Sequence, residues 1–405
     1  MLPASKKHWD YIVVGGGPAA CAFARATLRL NSSASLLMLE KYKMPRDKIC
    51  GDGMTFLTLP KVREIFPEVE LPTPASDDPV VTAHVPFGRR TYQVHTDIDV
   101  IPRLDFDHLL WRAAARAGAE QIEEAVVEDV LRDGERVIGV IATIGGARVE
   151  IKGRLVVGAD GSSGVIRRKT GDVSRDHVIM AVRQYVRGIP APKSGLEFFF
   201  EPNGNGYFWL FPFRRGNEWW ANVGYGADVK LPPKLLRRFR DWLDEPRIKS
   251  LVGSGELQGK LVAYPLHLMN MRGPNMAPAR NMYGPGYVLI GDAAGLIHPY
   301  SGEGISFALE SGAQAALCYS GDWESTESLC GVSYQKELLR HMGPTHESWL
   351  AYLALKLPQS LPKWVVPTYF AALTVIVRAV KIGLRPLFQR WVKGSELVGQ
   401  IYGSR

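Results

Sequence analysis

The run Gly15-Gly16-Gly17-Pro18-Ala19-Ala20 carries the spacing G-x-G-x-x-A, and Glu40 follows at about the 20-residue interval expected of a ribose-binding acid. Gly15 permits a sharp turn, Gly17 lets a pyrophosphate approach the backbone, and Ala20 lets a helix pack closely on a strand. Pro18 and Ala19 open that helix, whose first N–H groups are free to meet phosphate oxygens. Glu40 can accept hydrogen bonds from both ribose hydroxyls and would repel a 2′-phosphate, so the pattern suits FAD or NAD and not NADP. Two further glycine-acid motifs follow, Gly158-Ala159-Asp160-Gly161 and Gly291-Asp292-Ala293-Ala294-Gly295. The second runs through His298-Pro299 into Gly302-Glu303-Gly304 and Ile305. Cys50 stands beside Gly51, shortly after Arg46 and Lys48. One reading is a thiol whose pKa these cations lower and which donates a proton in catalysis. The other is a packed cysteine, and the residues leave both open.

These groups need elements to hold them. Asp10 to Val14 reads as a buried strand, Pro18 to Leu30 as an Ala-rich helix and Leu36 to Glu40 as a second strand, which together make a compact βαβ unit. Residues 105–118 have helical apolar spacing. Arg136 to Val157 alternates, with Gly145-Gly146 as a two-residue hairpin turn. Between 175 and 265 the chain turns aromatic in short alternating runs, Leu196 to Phe200, Tyr207 to Phe213, Trp219 to Tyr225 and Lys260 to Tyr264, which predict a separate antiparallel sheet. Tyr207, Trp209 and Phe211 share a face there. With Trp219 and Trp220 they are the candidates for lining an apolar substrate cleft, and Tyr207 and Trp209 also stand as candidate catalytic groups. Tyr287 to Ile290 reads as a strand, and helices dominate from Glu303 onward.

The composition sets bounds. With 405 residues, 46% apolar and 22% charged, the chain has enough material for packed globular domains. The net charge of +8 is spread along the chain, so no nucleic-acid partner is expected. Cys21, Cys50, Cys318 and Cys330 show no zinc spacing and no disulfide framework; no metal is expected, and free thiols in a reducing, cytoplasmic setting fit best. No signal peptide is expected at the N-terminus. The apolar run Trp364 to Val377, broken by Pro367 and Thr368, is too short to span a bilayer. Its surroundings carry Lys363, Arg378, Lys381, Arg385, Arg390, Lys393 and Arg405 against Glu396. A helix packed on the body is the expectation for 363–405, and peripheral contact with the inner membrane surface is its alternative.

Taken together, the opening fingerprint, the G-A-D-G motif and the G-D-A-A-G…P…G-E-G motif resemble the FAD-binding set of the flavoprotein monooxygenase and reductase superfamily, over most of residues 10–320. Within it, Pro45-Arg46-Asp47-Lys48-Ile49-Cys50-Gly51-Asp52-Gly53 resembles the P-R-x-K-x-C-G segment of the geranylgeranyl reductase family. Tyr207-Phe208-Trp209-Leu210-Phe211-Pro212 resembles that family's Y-x-W-x-F-P motif, and Ala308-Leu309-Glu310-Ser311-Gly312 its helix after the G-D motif. The W-x-W-x-I-P motif of flavin halogenases is absent, and Gly295 stands where aromatic hydroxylases commonly show His.

The resemblance implies FAD as cofactor. It places Asp292 on the ribityl chain, Asp160 between pyrophosphate and nucleotide, and Arg103, in Pro102-Arg103-Leu104-Asp105-Phe106, beside the isoalloxazine. Gly291, Pro299, Gly302, Gly304 and Ile305 would then lie along the flavin, with the loop Arg46, Lys48, Cys50 and Gly51 near it. A helix starting near Gly304 would aim its positive end at the ring, while Glu303 caps that helix or faces solvent. The implied fold is α/β: a Rossmann-like FAD-binding domain from 1–75, 100–175 and 275–320, an antiparallel-sheet substrate domain from 76–99 and 176–274, and a helical C-terminal region, 321–405. The implied activity is FAD-dependent reduction of carbon–carbon double bonds in a prenyl or other apolar substrate. An FAD-dependent monooxygenase acting on an apolar or aromatic compound, and an electron-relay or structural flavoprotein, are the alternatives. No second dinucleotide fingerprint indicates whether NAD(P)H or ferredoxin supplies the electrons.

Overall fold

The computed structural model describes residues 8–55, 57–72, 80–85, 90–95, 98–171, 177–192, 195–201, 206–228, 232–272, 275–277, 281–299, 301–320 and 323–341. The strand Trp9–Val14 is buried along nearly its whole length, as expected of a strand covered on both faces. It pairs in parallel with Leu36–Leu39 on one side and with the end of Ala147–Gly158 on the other. Glu120–Ile122 and Tyr287–Leu289 extend the parallel sheet at its two edges, giving the order Tyr287–Leu289, Ala147–Gly158, Trp9–Val14, Leu36–Leu39, Glu120–Ile122. This is the Rossmann-like half of an α/β fold. Ala147–Gly158 also belongs to a meander with Arg136–Ile144 and Ala125–Asp133. Gly145 and Gly146, at φ 57° and 82°, make its two-residue turn, a conformation that side chains with a Cβ rarely adopt.

Helix Pro18–Leu30 begins with proline in its first turn, after Gly17, and buries Ala19, Ala20, Cys21, Ala22 and Phe23. Helix Ile305–Cys318 crosses it so closely that a Cβ on Gly312 would collide with the Ala19 carbonyl oxygen and come within 2.9 Å of the Phe23 nitrogen. Small side chains on both helices thus bring two N-termini, after Gly17 and after Gly304, to the same end of the molecule. Neither N-terminus is capped by a side chain. Helix Arg103–Arg116 packs beside the first.

A second sheet of seven strands runs in the order Glu256–Leu268, His177–Arg187, Glu218–Ala227, Gly206–Arg215, Leu196–Phe200, Val80–Val85, Arg90–His95. Its pairs are antiparallel with one exception, a correction to the all-antiparallel expectation: Leu196–Phe200 lies parallel to Val80–Val85, with Leu196 opposite Val81. More than a hundred residues, most of them outside this sheet, intervene between those two strands, so no hairpin fixes their direction. Alternation divides the aromatic side chains between the faces. Phe208 and Leu210 pack under Leu235, Phe239 and Ile248 of the covering helices, whereas Trp209, Phe211 and Leu196 join Ile98 and Val100 on the other face. Full burial of a side chain such as Phe208 or Phe239 is worth roughly 1.5–3 kcal/mol, which ties the two helices Pro232–Asp244 and Pro246–Val252 to the sheet.

Among the described residues no helix is long and apolar enough to cross a membrane. The expectation for 363–405 lies outside the described residues, as does the helical region beyond helix Glu327–His341.

Candidate functional site

A cavity of about 280 Å³ opens between the inner face of the seven-stranded sheet and the N-terminal ends of the helices. Pro18, Lys48, Cys50, Gly51, Arg103, Asp292, Pro299, Gly302, Gly304 and Ile305 line it from the helix side, and Tyr207, Trp209 and Phe211 from the sheet side. Residues from the first and third glycine motifs, a loop and an aromatic strand therefore meet at one place, although they span 288 positions from Pro18 to Ile305; none of Gly158 to Gly161 lines the cavity.

At the fingerprint, Gly15 is left-handed (φ 112°), and a Cβ there would strike the Ala159 carbonyl oxygen. Gly17 is different: a Cβ would meet only the guanidinium Nη2 atoms of Arg46 and Arg103, at 3.7 and 3.9 Å. Open space, two guanidinium groups and the uncapped start of helix Pro18–Leu30 make a site complementary to a pyrophosphate. The two arginines are fixed by Asp107, whose carboxylate accepts from Arg46 Nη1 (2.7 Å), Arg103 Nε (2.5 Å) and Arg103 Nη2 (2.6 Å). Burial opposes ionisation of Asp107, but the two cations outweigh it and hold the carboxyl below its usual range. Asp107 was not anticipated from the sequence, though its position four residues after Arg103 on one helix was the available signal.

The second strand ends at Leu39, one residue short of the expected end, and Glu40 follows it directly. Its Oε2 accepts the Gly16 N–H (2.8 Å) and lies 3.4 Å from Arg46 Nε, while Oε1 accepts the Tyr42 N–H (3.0 Å). Ala19 and Ala20 are buried in the helix packing, and the Gly291 N–H donates to Ser311 Oγ (2.9 Å). Asp160 Oδ2 accepts the Ile166 N–H (2.7 Å), its Oδ1 is buried without a partner, and burial pushes the carboxyl up to about 6. In the cavity wall, Lys48 Nζ and Asp292 Oδ2 form an ion pair of 2.6 Å. Burial opposes the charge on Asp292, but Lys48 and Arg103 draw its pKa below the usual carboxylate range. An anion-sized space at Gly17 and a charged pair beside the uncapped helix after Gly304 fit a dinucleotide laid from the fingerprint toward Gly302 and Gly304, whereas the Asp160 carboxyl lies outside the cavity wall against Gly164.

Three expectations need correction. Trp219 and Trp220 do not line the cavity. Adjacent on one strand, they point to opposite faces, Trp219 beneath the Arg214 guanidinium at 5.4 Å and against the helix-covered core, Trp220 beside Phe213 with ring centroids 6.4 Å apart. The lowered pKa that one of the two readings of Cys50 required is reversed: burial pushes the thiol up, and Arg103 and Lys48 only partly offset it. Glu303 neither caps a helix nor faces solvent. Its Oε1 accepts from Thr55 Oγ1 (2.6 Å) and Thr58 Oγ1 (3.3 Å), so it ties the Gly302–Gly304 segment to the chain after Cys50.

Sequence reasoning also missed a polar cluster behind Cys50. Asn222, fully buried, donates from Nδ2 to the Cys50 carbonyl (2.7 Å) and to Asp52 Oδ2 (2.8 Å), and its Oδ1 accepts Trp209 Nε1–H (2.9 Å). Tyr185 Oη donates to the same Asp52 Oδ2 (2.6 Å). A lone asparagine inside the apolar strand Glu218–Ala227 was the only sequence signal of this cluster. Tyr207 Oη donates to the Ser301 carbonyl (2.6 Å), linking sheet and glycine turn across the cavity mouth. All four cysteines are free thiols.

Residues 9–316 match the FAD binding domain family. Digeranylgeranylglycerophospholipid reductase 1 of Methanopyrus kandleri is 30% identical over 75% of this chain and 78% of its own. Menaquinone reductase of Mycolicibacterium smegmatis is 27% identical over 76% and 75%. Among solved structures, a geranylgeranyl bacteriochlorophyll reductase-like protein from Thermoplasma acidophilum superimposes with a TM-score of 0.74 at 22% identity, covering 97% of this chain and 99% of its own. The myxobacterial chondrochloren halogenase, described as a variant of the FAD-dependent halogenases, gives a TM-score of 0.68 at 19% identity over 98% and 97%, so with it the fold alone is shared.

Proposed function

Because the chain belongs to the FAD binding domain family, and within it to the geranylgeranyl reductase group of FAD-dependent oxidoreductases, we propose that it reduces carbon–carbon double bonds of a prenyl-type substrate, either a prenylated lipid or a prenylated quinone. The observation that carries this reading is the pairing of an apolar, aromatic wall with a protonated thiol at one cavity. Leu196, Phe198, Tyr207, Trp209, Phe211 and Leu266 face Cys50 across it. Bound FAD, once reduced, supplies the hydride equivalent.

The protein's own residues do the rest. Gly17, Arg46 and Arg103 receive the pyrophosphate, Glu40 the ribose, Asp160 the link between pyrophosphate and nucleotide, and Lys48 with Asp292 the ribityl region. Pro299, Gly302, Gly304 and Ile305 leave room for the ring beside the start of helix Ile305–Cys318. Trp209 and Phe211 press the apolar chain against this floor and exclude water. Cys50, kept protonated by burial, holds the proton for the carbon that does not receive hydride, and Tyr207 is the next group at hand. In this reading 1–75, 100–175 and 275–320 form the cofactor-binding unit, 76–99 and 176–274 the substrate-facing unit, and 321–405 a helical extension. The pairing of Val80–Val85 with Leu196–Phe200 supports counting both segments of the second unit together.

The reading is tested by reducing the FAD-loaded protein anaerobically and adding prenyl diphosphates and prenylated quinones. Reoxidation of the flavin spectrum without oxygen supports it. A flavin that stays reduced until air is admitted favours the monooxygenase alternative.

A further inference from the structure

Strand Glu218–Ala227 sends Asn222, Gly224 and Gly226 to the cavity face of the seven-stranded sheet, and the three do different things there. Gly226 stands in the cavity wall, with nothing closer than 3.8 Å to the position of a Cβ. Gly224 is covered: a Cβ there would collide with the indole of Trp209, its partner on the neighbouring strand. Asn222 is fully buried and does not line the cavity, yet its amide holds two groups that do.

Asn222 Oδ1 accepts the Trp209 Nε1–H (2.9 Å). Its Nδ2 donates one hydrogen to the Cys50 carbonyl (2.7 Å) and the other to Asp52 Oδ2 (2.8 Å), which Tyr185 Oη holds from the far side (2.6 Å). Turning the amide over would set its NH2 against the indole N–H and its oxygen against two acceptors, so a single orientation satisfies all three partners. The loop also lies flat on the rings. A Cβ on Gly51 would come within 3.0 Å of Phe211 Cε2 and 3.5 Å of Trp209 Nε1.

We propose that Asn222 is a positioning residue that fixes the Cys50 loop against the Trp209 wall and so selects which double bond of a polyprenyl chain is reduced. The inference rests on the substrate reading given above. A prenyl chain repeats one isoprene unit, so the cavity meets several alkenes of similar reactivity. Apolar contact alone does not separate them, because burying one unit is worth as much as burying the next. A fixed offset between the wall that seats the chain and the group that meets the alkene does separate them. Asn222 sets that offset from behind the wall, without adding any surface that the chain touches.

The test uses full-length FAD-loaded protein, reduced anaerobically so that each flavin carries a single pair of electrons. It is mixed with a prenylated lipid or a prenylated hydroquinone, each with several side-chain double bonds. Tandem mass spectrometry then locates the bond reduced in that single turnover. Wild type is expected to reduce one position predominantly. Asn222→Leu, which keeps a branched shape and removes every hydrogen bond, should spread reduction over neighbouring positions. Its turnover should fall by up to about 10²-fold with KM nearly unchanged, as for a misplaced reacting group. Asn222→Ser, too short to reach both partners, serves where Asn222→Leu does not retain flavin, and the same spread is expected. A merely structural role would lower FAD content and reduction at every position alike, leaving the distribution as in wild type.

An unchanged distribution in a flavin-loaded Asn222 variant, or a wild type that reduces all positions equally, would overturn the inference and leave the reductase reading intact. A wild type that reduces the double bonds of neither substrate would overturn that reading, and the inference with it.

Discussion

Cys50 gains its chemistry from its surroundings more than from its sequence neighbours. Arg46 and Lys48 invite the expectation of a reactive thiolate, but Arg46 is spent on Asp107 and Glu40, and Lys48 on Asp292. Burial then decides, and the thiol keeps its proton at neutral pH, the form a proton donor needs. Cys50→Ser should therefore retain FAD yet slow turnover by about 10²–10⁴-fold, the cost of losing a general acid. Equal turnover in stopped-flow assays would remove Cys50 from the mechanism. Gly17 makes a separate claim. With only the two guanidinium groups near the position of a Cβ, Gly17→Val should fold normally but fill the pyrophosphate space, so the purified protein is expected to be colourless. Recovery of Gly17→Val with stoichiometric FAD would show that the fingerprint has been misassigned. Both residues were legible in the sequence because motif spacing carries them. Asp52, Asn222 and Asp107 were not, because their roles arise from contacts between segments distant in the chain.

At the scale of elements, the sequence showed most of what positions the site. Helix Pro18–Leu30 and the hairpin at Gly145-Gly146 fall where proline, alanine and glycine put them. Periodicity showed that Tyr207, Trp209 and Phe211 share a face, but not which face meets the cavity, so Trp219 and Trp220 were expected there too. The parallel pairing of Leu196–Phe200 with Val80–Val85 was equally invisible, since no local turn dictates it. The contact at Gly312 is the element-scale feature with the sharpest consequence. Gly312→Ala should push helix Ile305–Cys318 off helix Pro18–Leu30 and cost about 1–3 kcal/mol, the usual range for overpacking. Because those helices start at Gly304 and Gly17, FAD affinity should fall along with stability. Urea denaturation and flavin titration of the variant check both, and a variant with unchanged midpoint and affinity would refute the claim that this crossing sets the site.

Across the whole molecule, a buried carboxyl couples stability to pH. Asp160 keeps an unpartnered oxygen, and its pKa is raised from 3.8 to about 6. Between those values the folded protein holds a proton that the unfolded chain has lost, so this group's contribution to stability is present below about pH 4 and is lost as pH rises through 6. Asp160→Asn, whose amide oxygen can still accept the Ile166 N–H, should flatten that decline in denaturation of the apoprotein from pH 4 to 8; an unchanged slope would show that Asp160 titrates normally.

The central claim, that two sheets enclose a cavity built to add hydrogen across an alkene, is tested most directly by product mass. The protein is reduced and mixed with a prenylated quinone or prenylated lipid in sealed and in aerated vessels. The account predicts product in the sealed vessel, heavier by two hydrogen atoms per double bond reduced. A product formed only in air and heavier by one oxygen atom would contradict it, leaving the fold and the FAD-binding groups in place.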